Sequence, residues 1–188
     1  MLQPHLTSMP GVRTKLNYIL VILTGFSIPC TLFSLLRETW LDEGYVWSGL
    51  WQICGRNGSC FDLICVSDGI VQTRNLLYAG ICTEVLSTLV SLLYVCARKE
   101  NVVVLSTVLV LSLTYGICTM TAIFKYARDS DSSSFGSAFV WCVVACISGW
   151  SMAAVTTLLL CQKRLCSNIP NWCSKRLEHY VLLSQDEV

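Results

Sequence analysis

Twelve cysteines stand in this chain of 188 residues, and cysteine can serve as a disulfide half, a metal ligand or an acylation site. Spacing separates these uses. The sequence holds no Cys-x-x-Cys pair and no Cys/His cluster with metal-site spacing, so no metal or other cofactor is expected. Cys54, Cys60 and Cys65 share one polar stretch and are the disulfide candidates. Cys30, Cys82, Cys118, Cys142 and Cys146 lie inside long apolar runs and read as packing residues. Cys96, Cys161 and Cys166, with Cys173 beyond them, sit where apolar runs meet basic residues. That setting suits S-palmitoylation; the alternative is a reduced, small hydrophobe. Catalysis finds little support. The only histidines are His5 and His179, and no Ser/His/Asp set, phosphate-cradling glycine loop or carboxylate pair is visible, so the chain is not expected to be an enzyme.

The elements that hold these residues are legible from composition. Apolar residues make up 54% of the chain and charged residues 13%, with a net charge of +1. A soluble domain of this length needs more charge on its surface, and a near-neutral chain has no field to attract nucleic acid. A membrane-spanning helix needs about 20 mostly apolar residues. Four runs qualify: 16–36, 76–96, 102–124 and 137–161. They leave an N-terminal segment 1–15, a long polar loop 37–75, a charged turn 97–101, a second loop 125–136 and a tail 162–188. Basic residues in short loops mark the cytoplasmic side. Arg13, Lys15, Arg98, Lys99, Lys163, Arg164, Lys175 and Arg176 fall on one side, and the two longer loops carry more acid than base. Both termini are therefore expected in the cytoplasm. A cleaved signal peptide is the competing reading of the first run, but its length and the lack of a small-x-small site argue against it.

Helices in lipid associate through small residues. Ala145, Gly149 and Ala153 form a stripe at four-residue steps, expected to pack inside the bundle rather than against a second chain; Pro29 is expected to kink the first span. Glu84 is the one charge in any run. A carboxylate at that depth costs a few kcal/mol unless it is neutral or paired. Thr83, Thr114, Tyr115 and Thr119 are the hydroxyls expected to meet it; a role in lipid, ion or partner contact is the alternative.

In the long loop, residues 45–54 are aromatic and branched, as strands are, and Arg56-Asn57-Gly58 has the composition of a tight turn with Gly58 in the left-handed position. That register sets Cys54 opposite Cys60. Pairing of Cys54 with Cys65, leaving Cys60 free, is the alternative. Asn57-Gly58-Ser59 is also an N-glycosylation triplet.

Gly49-Leu50-Trp51-x-x-Cys54, a second cysteine at Cys60, Arg74 at the mouth of the second span and Trp40 after the first together resemble the signature of the claudin superfamily. Phe135-Gly136 followed by Trp141 is similar to the corresponding stretch before its fourth span. Topology resembles the family over the whole chain; the motif covers a short part of it. The resemblance implies a left-handed four-helix transmembrane bundle carrying a small extracellular antiparallel β-sheet. The short Trp40–Trp51 segment and tight cysteine spacing look more like the peripheral myelin protein, epithelial membrane protein and lens fibre membrane protein branch than like pore-forming claudins. It implies a structural protein of the plasma membrane at cell–cell contacts, associating with itself or with related four-span proteins. An auxiliary subunit that accompanies a channel or receptor is the alternative, as is a vesicle or granule membrane protein. Trp47, Leu50 and Trp51 are expected to fix the sheet to the bundle, and Val46, Phe61 and Ile64 to face partners. In the tail, Val188 resembles the end of a ligand for a PDZ scaffold. Tyr180-Val181-Leu182-Leu183 looks like a tyrosine-based signal for a sorting adaptor, and Glu178 with Leu182-Leu183 like an acidic dileucine signal, which suits endosomal or granule membranes.

Overall fold

The computed structural model describes residues 10–63, 67–96, 101–130 and 134–167, with side chains from 14 to 163 within those stretches. Cys65, Ile64, Cys173 and the tail residues Tyr180, Leu182, Leu183 and Val188 lie outside them; Cys166 lies on a described helix without a described side chain.

Four helices carry the fold: α1 (Pro10–Leu36), α2 (Asp68–Cys96), α3 (Val102–Asp129) and α4 (Ser137–Ser167). All four are long and apolar enough to cross a membrane. A helix is the natural form for such runs, since it bonds its own backbone groups where lipid offers none. Asn101 caps α3, its Oδ1 accepting from Val103 N at 3.0 Å. α1 stays helical through Pro29.

All four helices begin or end outside the apolar runs: α1 starts at Pro10 and α4 continues to Ser167. α2 starts at Asp68 rather than near Leu76, and α3 continues to Asp129 past Phe124. Lipid solubility limits the apolar run but not the helix. Asp68 favours the positive N-terminal end of α2, Thr73 is fully buried in its first turns, and Ser130 N closes α3 on Tyr126 O at 3.1 Å. Both loops at that end are correspondingly shorter than the hydropathy pattern suggests.

The helices form a ring: α1 packs on α2 and α4, and α3 packs on α2 and α4. Facing inward are small and hydroxylated residues. On α1 they are Thr24, Ser27, Thr31 and Ser34; on α2 Glu84, Ser87 and Ser91; on α3 Ser112, Tyr115 and Thr119; on α4 Ser148 and Thr156. Facing outward are large apolar side chains such as Ile22, Phe33, Leu93, Val110 and Ile147. The order is that of a membrane bundle, because lipid accepts apolar surface and helix contacts need small or hydrogen-bonding groups.

A four-stranded antiparallel sheet, β1 (Leu41–Asp42), β2 (Val46–Ser48), β3 (Gln52–Gly55) and β4 (Cys60–Asp62), in that spatial order, covers one end of the ring. Trp47 pairs with Cys54, and Cys54 with Cys60. The segment before α4 adds itself to the β1 edge: Leu41 bridges to Phe135, and Gly136 N donates to Trp40 O at 2.8 Å.

Candidate functional site

The seam between sheet and bundle gathers residues from three separated segments. Trp40 is fully buried, donates Nε1–H to Ser34 O at 2.7 Å and packs its ring 4.6 Å from Tyr126. Leu50 is also fully buried in the same apolar cluster as Trp40, Leu77 and Ala122. Gly49 lets two backbones touch, since a Cβ there would lie 2.7 Å from Glu38 Cα. Trp51 donates Nε1–H to Leu35 O at 2.9 Å. Arg74, from the second turn of α2, closes the arrangement. Its Nε donates to Leu50 O at 2.7 Å, a terminal nitrogen donates to the same oxygen, and its guanidinium lies 4.4 Å from the Trp51 ring centre. One cation thus satisfies a buried carbonyl and stacks on an indole, a double role that Arg fills and Lys does not. The residues Trp40, Gly49, Leu50, Trp51 and Arg74, up to 34 positions apart in sequence, therefore form one contiguous clasp.

Cys54 and Cys60 are bonded, with Cα atoms 4.1 Å apart across the β3–β4 hairpin. Gly58 takes φ +80°, in the left-handed region where glycine costs nothing. Cys54 is buried; Glu38 Oε2 lies 3.5 Å from its sulfur. That approach is a packing contact, because a disulfide sulfur carries no proton. Glu38, Cys54 and Cys60 are the one group of potential metal donors that cluster among the described residues, with ligand atoms within 4.8 Å. The disulfide removes both thiolates, and a single carboxylate is no chelating set.

Exposed apolar residues gather on the sheet. Tyr45 is 75% exposed and Phe61 70%, while Val46 and Ile53 are partly exposed. Ile53 pairs with Phe61, so the two share a face. Val46 and Phe61 are thus accessible as the sequence suggests. Trp47 is half-buried like Trp51 but, unlike it, does not pack against the cluster of Trp40 and Leu50.

Glu84 lies in the middle of the ring, fully buried. Its partner is none of the four hydroxyls expected from sequence. Thr83, Thr114 and Thr119 bond backbone carbonyls of their own helices, and Tyr115 bonds Thr31 across the ring at 2.6 Å. The Glu84 carboxyl instead accepts a hydrogen bond from Ser27 of α1 through Oε1, and Oε2 has no partner among the described residues. The side chain on α1 was findable: Thr24, Ser27, Thr31 and Ser34 recur at three- and four-residue steps, the period of one helix face. Full burial also bears on function, since neither lipid nor a second chain reaches this carboxyl without opening the bundle.

The small-residue stripe faces inward as well. Ala145 and Ala153 are buried, and a Cβ on Gly149 would come within 2.7 Å of the Tyr115 ring. Of the acylation candidates, Cys96 and Cys161 are exposed at the end of the ring away from the sheet. Asn57 is exposed at the hairpin tip.

A ring of four apolar helices with a hydroxyl-lined interior and a disulfide-clasped sheet on one end defines a multi-pass membrane protein. No protein-family model matches the chain, and no curated protein matches its sequence.

Proposed function

We propose that this chain is a claudin-like structural membrane protein, without catalytic activity, that organises contacts between cells through its sheet. The observation that carries the reading is the clasp. Trp40, Gly49, Leu50, Trp51 and Arg74, the residues on which the resemblance rests, converge at the sheet–bundle seam, and Cys54–Cys60 staples the strands beside it. A sheet held that firmly on a membrane bundle is a platform: it presents side chains at a fixed height and angle above the lipid. The basic residues put the sheet outside the cell and the termini in the cytoplasm. The contact surface is the exposed set Tyr45, Val46, Ile53 and Phe61. Its partners are a second copy of the chain or a related four-span protein at the plasma membrane.

The test is live imaging of a tagged chain in non-polarised cells that lack junctions. Enrichment where two expressing cells meet, lost when Cys54 and Cys60 are both changed to Ser, is the expected result. An even surface signal, or retention in endosomes or granules, sinks the adhesive reading. Recovery of one stoichiometric multi-span partner in detergent would then favour an accessory role.

A further inference from the structure

We propose that the Asn57 side chain carries an N-linked oligosaccharide, making the β3–β4 hairpin tip a modification site. Asn57-Gly58-Ser59 is the single Asn-x-Ser/Thr triplet in the sequence. It occupies the tip of a hairpin clamped at its base by the Cys54–Cys60 bond, and Asn57 is exposed.

The local geometry separates the two ends of the amide. Asn57 Oδ1 accepts from Ser59 Oγ at 2.6 Å and from Ser59 N at 3.2 Å. A backbone N–H can only donate, which fixes the amide's orientation. Nδ2 is therefore the free end, and it has no hydrogen-bond partner among the described residues. The turn beneath is complete without it: Gly55 N bonds Ser59 O at 2.9 Å, and Gly58 N bonds Gly55 O at 2.9 Å. A substituent on Nδ2 displaces no hydrogen bond of the hairpin. The hydroxyl of Ser59 on the amide oxygen is the contact that the third residue of the triplet supplies, and Thr can supply it too.

The donor is an oligosaccharide linked through its C1 to a lipid pyrophosphate. Nδ2 forms a bond to C1 and the C1–O bond to the pyrophosphate breaks. The lipid pyrophosphate leaves with the electron pair, and the amide proton passes to a base of the transferase. No oxidant or reductant is involved. One consequence is steric. A hydrated glycan at the tip keeps an opposing surface away from Arg56–Ser59 and leaves contact to the strand face that bears Ile53 and Phe61.

The inference rests on the outward orientation taken above, so the experiment separates the two. The full chain is expressed in mammalian cells and treated with peptide N-glycosidase. The expected result is loss of one glycan's worth of apparent mass on a gel, with residue 57 gaining the deamidation mass in the released peptide. The shift should vanish in Asn57→Gln and Ser59→Ala and persist in Ser59→Thr. An unshifted chain, or a shift that survives Asn57→Gln, overturns the proposal. Orientation is read independently in an Asn57→Gln/Arg56→Lys chain, using a membrane-impermeant amine reagent on intact cells. Labelling at residue 56 with no glycan on the parent chain sinks the glycan alone; protection of residue 56 from the reagent sinks both the glycan and the outward sheet.

Discussion

Ser27 and Glu84 show how a single hydroxyl decides whether a buried carboxyl is tolerable. The pair links α1 to α2 at mid-depth, and Thr31 with Tyr115 links α1 to α3 beside it. Removing one partner of a buried polar pair costs about 1–3 kcal/mol, whereas replacing a group by one that keeps its hydrogen bond costs less. Ser27→Ala is therefore expected to destabilise the bundle by about 1–3 kcal/mol. Glu84→Gln, which keeps an acceptor for Ser27, should stay within about 1 kcal/mol of the parent. Denaturant unfolding in micelles measures both, and equal effects from the two would refute the pairing. Tyr115→Phe removes the hydroxyl and keeps the ring, so a loss of about 1 kcal/mol is expected in the same assay. The existence of a buried acid was legible in the sequence, because Glu84 interrupts an apolar run. Its partner was not, because four helices offer many hydroxyls and only the rotation of each helix about its axis selects one. The α1 stripe of Thr24, Ser27, Thr31 and Ser34 carries that information in its spacing, but a stripe names a face and not the neighbour it meets.

Between elements, close approach matters more than polarity. Gly149 holds α4 against Tyr115 and Gly116 of α3, with no room for a side chain. Gly149→Leu should separate the helices and cost at least the 1–3 kcal/mol or so typical of an overpacked core; an unchanged thermal midpoint would show that the contact is looser than it looks. Arg74 does for the sheet what Gly149 does for the bundle. Arg74→Lys keeps the charge but loses the fork and the stacking on Trp51. The expected outcome is faster proteolysis within residues 41–62 while the helices remain protected. Equal cleavage rates in parent and variant would remove Arg74 from the clasp. Hairpin, register and disulfide were all readable, since turn chemistry at Arg56-Asn57-Gly58 fixes which residues face each other. The helix limits were not. Hydropathy reports where lipid ends, whereas α2 extends to Asp68, which suits the helix's N-terminal end, and its second turn carries Arg74 to Leu50 O.

For the molecule as a whole, the buried clusters and the face proposed for contact draw on different residues, and this makes the adhesive reading separable from misfolding. Ile53 and Phe61 share a face, and Phe61 contributes nothing to the buried clusters. Phe61→Asp is expected to fold, with stability within about 0.5 kcal/mol of the parent, as exposed substitutions do. It should reach the cell surface yet lose enrichment between expressing cells. If enrichment persists at the parent level, the sheet face is not the contact. The four spans were legible at this scale because each is long and apolar and each break is polar. The addition of the Phe135 segment to the sheet was not, since one isolated bridge leaves no periodic pattern.

That addition has a bearing on how copies of the chain can associate. With Phe135 bridged to Leu41, the β1 side of the sheet is already occupied, and among the described residues β4 has no further strand beside it. Among the described residues the sheet then offers one open margin, not two. Units with two open margins add end to end without limit, whereas units with one can only meet in twos and stop. Strand pairing between copies would therefore close as a dimer with twofold symmetry, and any longer array must be built through other surfaces.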